Sequence, residues 1–146
     1  MFRSSSFHTM DPKGRIIIPA RFRDVIQAGG GEGVMISNMD GTLYAYTFNE
    51  WRTIEKKILS AKSRYMRQFK RFFLGNACEC LWDRQERILL PKPLRAYAGL
   101  EKEIVLVGVL DHFEIWARPR WEEENQKMEQ EMEKEEVREE IASLGL

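Results

Sequence analysis

The chain is 146 residues long, 43% hydrophobic and 11% aromatic, which fits one domain or two small halves sharing a core and excludes a large multidomain enzyme. Its 23 basic and 23 acidic residues cancel to zero, but unevenly: Trp121 to Leu146 carries a net −7 and the remainder +7. A basic body of this kind suits phosphate backbones, while no apolar run nears the ~18 residues of a membrane span, the longest being Ile104 to Leu110.

Met1 to Ser6 runs into polar residues without the apolar segment of a secretory signal, so the expected location is cytoplasmic. A short strand leads into Asp11-Pro12-Lys13-Gly14, which predicts a reverse turn: proline fixes φ at the second position and glycine accepts the conformation at the exit. A second strand, Arg15 to Ile18, ends at Pro19. A helix is predicted over Ala20 to Gln27, with Pro19 in its first turn, where a missing N–H costs nothing. Gly29-Gly30-Gly31 precedes a strand instead of following one, so it reads as a loop and not as a phosphate cradle. Val34 to Asp40 and Leu43 to Tyr46 then form a hairpin about Asp40-Gly41.

From Asn49 the pattern turns helical. Asn49 is the expected cap of a helix with Trp51, Ile54 and Ile58 on one side. In the next helix Tyr65, Met66, Phe69, Phe72 and Phe73 gather on one arc, opposite Arg64, Arg67, Lys70 and Arg71. The second half then repeats the first. Asp11 to Arg23 and Asp83 to Arg95, 72 positions apart, both read D-x-x-x-R-I-apolar-apolar-P-x-x-apolar-R, with five of thirteen positions identical where chance gives about one. A short helix, Pro93 to Ala98, follows; Val105 to Asp111 and Phe113 to Trp116 match the earlier hairpin, and Trp121 matches Trp51. The resulting division is residues 1–48 as a first repeat, 49–76 as a helical insert, 77–120 as a second repeat and 121–146 as an acidic C-terminal helix. The last has Met128, Met132, Val137, Ile141 and Leu144 as its sparse apolar positions, and it is expected to be solvated or docked on a neighbouring subunit or on the basic body.

The inventory for catalysis is thin: His8, His112, Cys78 and Cys80, with no nucleophile elbow, zinc-protease helix or P-loop motif. Cys78-x-Cys80 lacks the spacing of a zinc site, and on a strand both thiols share one face and stay reduced. No enzyme activity, metal, cofactor, membrane contact or small-molecule substrate is expected. The duplicated turns do offer cations, Lys13 and Arg15 from one and Arg84 and Arg87 from the other, held out on rigid hairpins. Arginine bonds bidentately to phosphate or to guanine O6 and N7, and a two-stranded ribbon or its turn can enter the ~12 Å major groove. Alternatively, Asp11 and Asp83 pair with Arg15 and Arg87 to close the turns. The two roles are compatible, since a carboxylate can fix a guanidinium before it meets DNA.

Asp11-x-Lys13-Gly14-Arg15-Ile16-x-Ile18-Pro19-Ala20-x-Phe22-Arg23, Arg71-Phe72-Phe73, Asp83-x-x-x-Arg87-Ile88-Leu89-Leu90-Pro91 and Ala98-Gly99-Leu100 together resemble the MraZ family of transcriptional regulators of the bacterial division and cell wall gene cluster, over about Met1 to Trp121. The resemblance implies a mainly β fold with added helices: a split, swapped-hairpin β-barrel of AbrB and MazE type formed by two pseudo-symmetric repeats in one chain. It also implies a nucleoid-associated homo-oligomeric ring that binds double-stranded DNA at repeated promoter boxes and represses its own operon. Carried over by position, Asp11 and Arg15 form the first motif, with Lys13 and Gly14 in its turn, and Asp83 and Arg87 the second, where residue 85 is glutamine. Glu86 stands where the first turn has Gly14. It is expected to exclude conformations that only glycine tolerates and to set a negative charge beside Arg87, weakening the second turn or leaving it chiefly structural. The rival expectation is an antitoxin-like protein-interaction module that holds a partner with its terminal helix.

Overall fold

Every strand of the first repeat has a counterpart in the second. The computed structural model describes all 146 residues, in the order β1 (Ser5–Thr9), β2 (Arg15–Ile17), α1 (Ala20–Ala28), β3 (Gly33–Met39), β4 (Thr42–Tyr46), α2 (Phe48–Ser60), α3 (Arg64–Phe73), β5 (Cys78–Leu81), β6 (Arg87–Leu89), α4 (Lys92–Ala98), β7 (Glu103–Gly108), β8 (Phe113–Ala117), α5 (Arg118–Glu131) and α6 (Glu135–Ala142). The main antiparallel sheet runs β1-β7-β8-β4-β3-β5, and β2 and β6 form a separate antiparallel ribbon. Exchanging each strand for its counterpart reverses the sheet order and leaves it otherwise unchanged, so a pseudo-twofold axis passes between β4 and β8. Equivalent residues meet on that axis, Tyr44 opposite Glu114 in the sheet and Ile16 opposite Ile88 in the ribbon.

The halves interlock. β1 of the first repeat pairs with β7 of the second, and the ribbon takes one strand from each. The β1 and β5 edges stay open. The expected barrel is therefore not closed by hydrogen bonds; an open sheet and a two-stranded ribbon stand in its place. The mainly β expectation also gives way to a mixed α/β fold, because the six helices hold more residues than the eight strands.

The core lies where the ribbon, α1 and α4 meet the sheet. Strand alternation turns Ile16, Ile18, Ile88 and Leu90 inward to complete burial and leaves Ile17 and Leu89 outside. Phe2, Phe22 and Phe113 contact one another at centroid distances of 5.2, 5.1 and 5.0 Å. Each such side chain stabilises the fold by about 1.5–3 kcal/mol through burial. A smaller cluster, Tyr46, Trp51 and Phe73, seats the α2–α3 pair. Its Tyr46–Trp51 contact at 5.8 Å is matched in the second half by Trp116–Trp121 at 5.7 Å.

Helix ends depart from expectation in instructive ways. Pro19 and Pro91 occupy the N-cap positions of α1 and α4 instead of their first turns, and Pro93 sits in the first turn of α4. α2 begins before Asn49, so its cap is Thr47, whose hydroxyl accepts the Glu50 N–H at 3.2 Å; Asn49 falls inside the first turn and accepts from Arg52 at 2.8 Å. On α3, Phe73 is buried and Phe69 packs on the cluster, whereas Tyr65 and Phe72 stay exposed because the helix meets the body along a stripe narrower than its apolar arc. The tail is two helices, not one: α5 starts at Arg118, directly after β8 as α2 follows β4, and a turn separates it from α6. Neither has a buried residue.

Candidate nucleic-acid interface

The two D-x-x-x-R turns have the same hydrogen-bond design. In the first, Asp11 Oδ1 accepts the backbone N–H groups of Lys13 at 3.0 Å and Arg15 at 2.9 Å, while Oδ2 accepts Arg15 Nε at 2.6 Å. In the second, Asp83 Oδ1 accepts from Gln85 at 2.8 Å and Arg87 at 3.0 Å, and Oδ2 accepts Arg87 Nε at 3.0 Å. The backbone closes each turn from the other side, with Asp11 N–H donating to Arg15 C=O and Gly14 N–H to Asp11 C=O, matched by the same pair of bonds in the second turn. One carboxylate thus folds a turn and fixes an arginine rotamer. Those bonds hold both carboxyls below the usual range; the largest contribution is the backbone N–H of Arg15 on Asp11 and of Arg87 on Asp83.

Ribbon register decides which side chains share a surface. Arg15 lies opposite Leu89 and Ile17 opposite Arg87, so these four point outward together while Ile16 and Ile88 face the core. The Arg15 and Arg87 Cα atoms stand diagonal to each other, about 8 Å apart from strand spacing and rise. Lys13 and Arg84 are both exposed at the turn tips, one residue out of step: the counterpart of Lys13 is Gln85, and that of Arg84 is Pro12. Strand alternation from Arg15 and Arg87, a signal present in the sequence, places Ile17 and Leu89 on the same face.

Glu86 takes up a conformation that it was expected to exclude. It adopts the left-handed conformation, with φ +63°, in the place of Gly14 with φ +93°. Its carboxylate is drawn from the turn tip to Arg23 of the other repeat, at 3.1 Å. Arg23 also donates to the Ile18 carbonyl, as its counterpart Arg95 donates to Leu90 at 2.9 Å. Arg95 lies across Gly14, where an added Cβ would come within 2.6 Å of its guanidinium. A glutamate meets one arginine, and a bare glycine makes room for the other.

The remaining reactive groups are not assembled around the turns. Both cysteines are free thiols, and burial pushes that of Cys80 up to about 12, which suits a packed side chain and not a nucleophile. His112 stacks on Tyr44 at 4.6 Å; burial opposes its protonation, but the Glu114 and Asp111 carboxylates outweigh that and raise its pKa. On α3, Arg64, Arg67 and Arg71 are exposed, whereas Lys70 reaches back to the Ala61 carbonyl at 2.8 Å and closes the end of α2.

The family described as "MraZ protein, putative antitoxin-like" matches the chain twice, over residues 1–72 and 73–142. The chain is 75% identical over 146 residues to "Transcriptional regulator MraZ" of Desulforapulum autotrophicum, covering all of both chains. It is 53% identical over 148 residues to the protein of that name from Desulfosudis oleivorans, again over the whole of both. With the one from Clostridium beijerinckii it shares 44% over 128 residues, 86% of this chain and 88% of the other.

Proposed function

Since this chain belongs to the MraZ family, we propose that it is a sequence-specific DNA-binding transcriptional regulator, acting by occupancy without chemistry. The observation that carries the reading is the pair of carboxylate-held arginines, Arg15 and Arg87, set on one outward face of a ribbon built from both repeats. Lys13 and Arg84 add flexible phosphate contacts at the turn tips. A guanidinium already fixed in one rotamer loses less entropy on meeting a guanine edge or a phosphate. One protomer makes few phosphate contacts, so firm binding calls for a homo-oligomer, a ring in this reading, engaging repeated double-stranded promoter boxes at high effective concentration. The regulated target is its own division and cell wall operon, with repression as the outcome, in the cytoplasm on the nucleoid. Nothing in the proposal requires a membrane, and no helix is long and apolar enough to cross one.

The test is a gel shift over a salt series, with DNA upstream of its own operon beside a scrambled fragment. Arg15→Ala and Arg87→Ala are expected to lose most specific binding at unchanged oligomer size. Arg15→Lys is expected to keep salt-dependent binding while losing discrimination, because a point charge cannot bond bidentately. Equal affinity for both fragments in the wild type overturns the reading. The second reading, a protein-interaction module, draws on α6, which leaves the body with no buried side chain. A chain ended after Glu131 separates the two: retained DNA binding supports the regulator, and loss of a protein partner with no DNA binding at any stage supports the module.

A further inference from the structure

We propose that Ile17 and Leu89 read thymine methyl groups in the major groove, each beside the arginine that faces it across the ribbon. The inference rests on the DNA-binding reading above and deepens it. Ile17 is 55% exposed and Leu89 56%, although their strand neighbours Ile16, Ile18, Ile88 and Leu90 are at most 1% exposed. They are counterparts, 72 positions apart in the duplicated motif, so the molecule presents a large aliphatic side chain to solvent at the same place in each repeat. Register sets them in a two-by-two chequer with Arg15 and Arg87, about 5 Å apart across the strands and about 7 Å along them. Two base steps of DNA span about that length, at 3.4 Å each.

The occupant follows from chemistry. Among base edges in the major groove only thymine carries a methyl group, and arginine beside it suits guanine O6 and N7 or a phosphate. The pseudo-twofold axis through Ile16 and Ile88 runs through the ribbon, so the two arginine–aliphatic pairs are placed to meet opposite strands of a duplex. A second copy of this chain is the poorer occupant. Two aliphatic side chains fall far short of the ~800 Å² per partner of a stable interface. The carboxylates of the two turns, Asp11, Asp83 and Glu86, are already engaged with Arg15, Arg87 and Arg23 and so are not free to meet a copy's guanidinium groups.

The experiment uses the upstream fragment made once with thymine and once with deoxyuracil, which lacks only the methyl. Wild-type protein is expected to bind the deoxyuracil fragment about tenfold more weakly. Ile17→Ala with Leu89→Ala, both surface changes, should bind the two fragments equally, near the wild-type level on deoxyuracil. Lys13→Ala, which removes a phosphate contact, should weaken both while leaving their ratio intact. If wild type binds the operator but does not distinguish the fragments, the methyl inference falls and the regulator reading stands. It falls also if the ratio persists in the alanine variant, since the methyl would then act through the DNA alone. If wild type shows no preference for operator over scrambled DNA, both fall together.

Discussion

At the scale of single residues, Asp11 and Asp83 do the most with the least, and their chemistry predicts an acid signature. Each carboxyl has a folded pKa below its ordinary value of 3.8. The stability it contributes is therefore complete above about 3.8 and is lost as pH falls through the folded value. The Asp11→Asn, Asp83→Asn protein should have a lower denaturation midpoint than wild type at pH 7, and the gap should close toward pH 2; an unchanging gap would mean that charge is irrelevant to the turns. Glu86 gives a second prediction. Its left-handed conformation costs a non-glycine residue roughly 1–2 kcal/mol, against about 0–1 kcal/mol for a partly exposed pair such as that with Arg23. Glu86→Gly should leave melting unchanged or raise it, and should tighten operator binding by removing a negative charge. Gly14→Glu should do the reverse, because φ +93° strains any residue but glycine and the new Cβ would displace the Arg95 guanidinium from the Leu90 carbonyl. The Asp–Arg bonds were legible in sequence because both partners lie four residues apart. The conformation of Glu86 was not, since its compensating partner, Arg23, comes from the other repeat.

Elements show where periodicity carries and where it stops. The three-residue strands β2 and β6 present opposite fates at adjacent positions, so the same truncation should read differently along each. Ile16→Ala or Ile88→Ala should cost about 2–5 kcal/mol, and Leu89→Ala under about 0.5 kcal/mol, by chemical denaturation. Thr47→Ala should cost about 1 kcal/mol through the lost cap of α2, with Asn49→Ala costing less. Strand, turn and hairpin order could be read from alternation and turn residues because those signals are local. The true start of α2 could not, because Asn49 and Thr47 are both good caps and the choice falls to the packing of Tyr46 on Trp51 just beyond. The same limit applies to α3, where the wheel groups Tyr65 with Phe73 but only contact with the body decides which of them is covered.

For the whole molecule, duplication was visible in the residues themselves, whereas the exchange of strands between repeats came only from the family resemblance, because both a local and a crossed pairing satisfy the same pattern of apolar residues. Crossing makes the halves dependent on one another: β1 needs β7, and the ribbon needs both repeats. Chains of residues 1–76 and 77–146 made separately should lack the native fold when monomeric and regain it on mixing, as judged by amide dispersion in NMR spectra; a stable monomeric half would contradict the interlock. The axis through Ile16 and Ile88 has a directional consequence too. A body that looks alike after half a rotation can lie on a duplex pointing either way, and the shared arginines cannot tell the two poses apart. Only the mismatches between the repeats can: Lys13 against Gln85, Pro12 against Arg84, and the acidic α5 and α6 against the basic α2 and α3. Polarity on the chromosome would thus be written in what the duplication has let drift, and not in what it has kept.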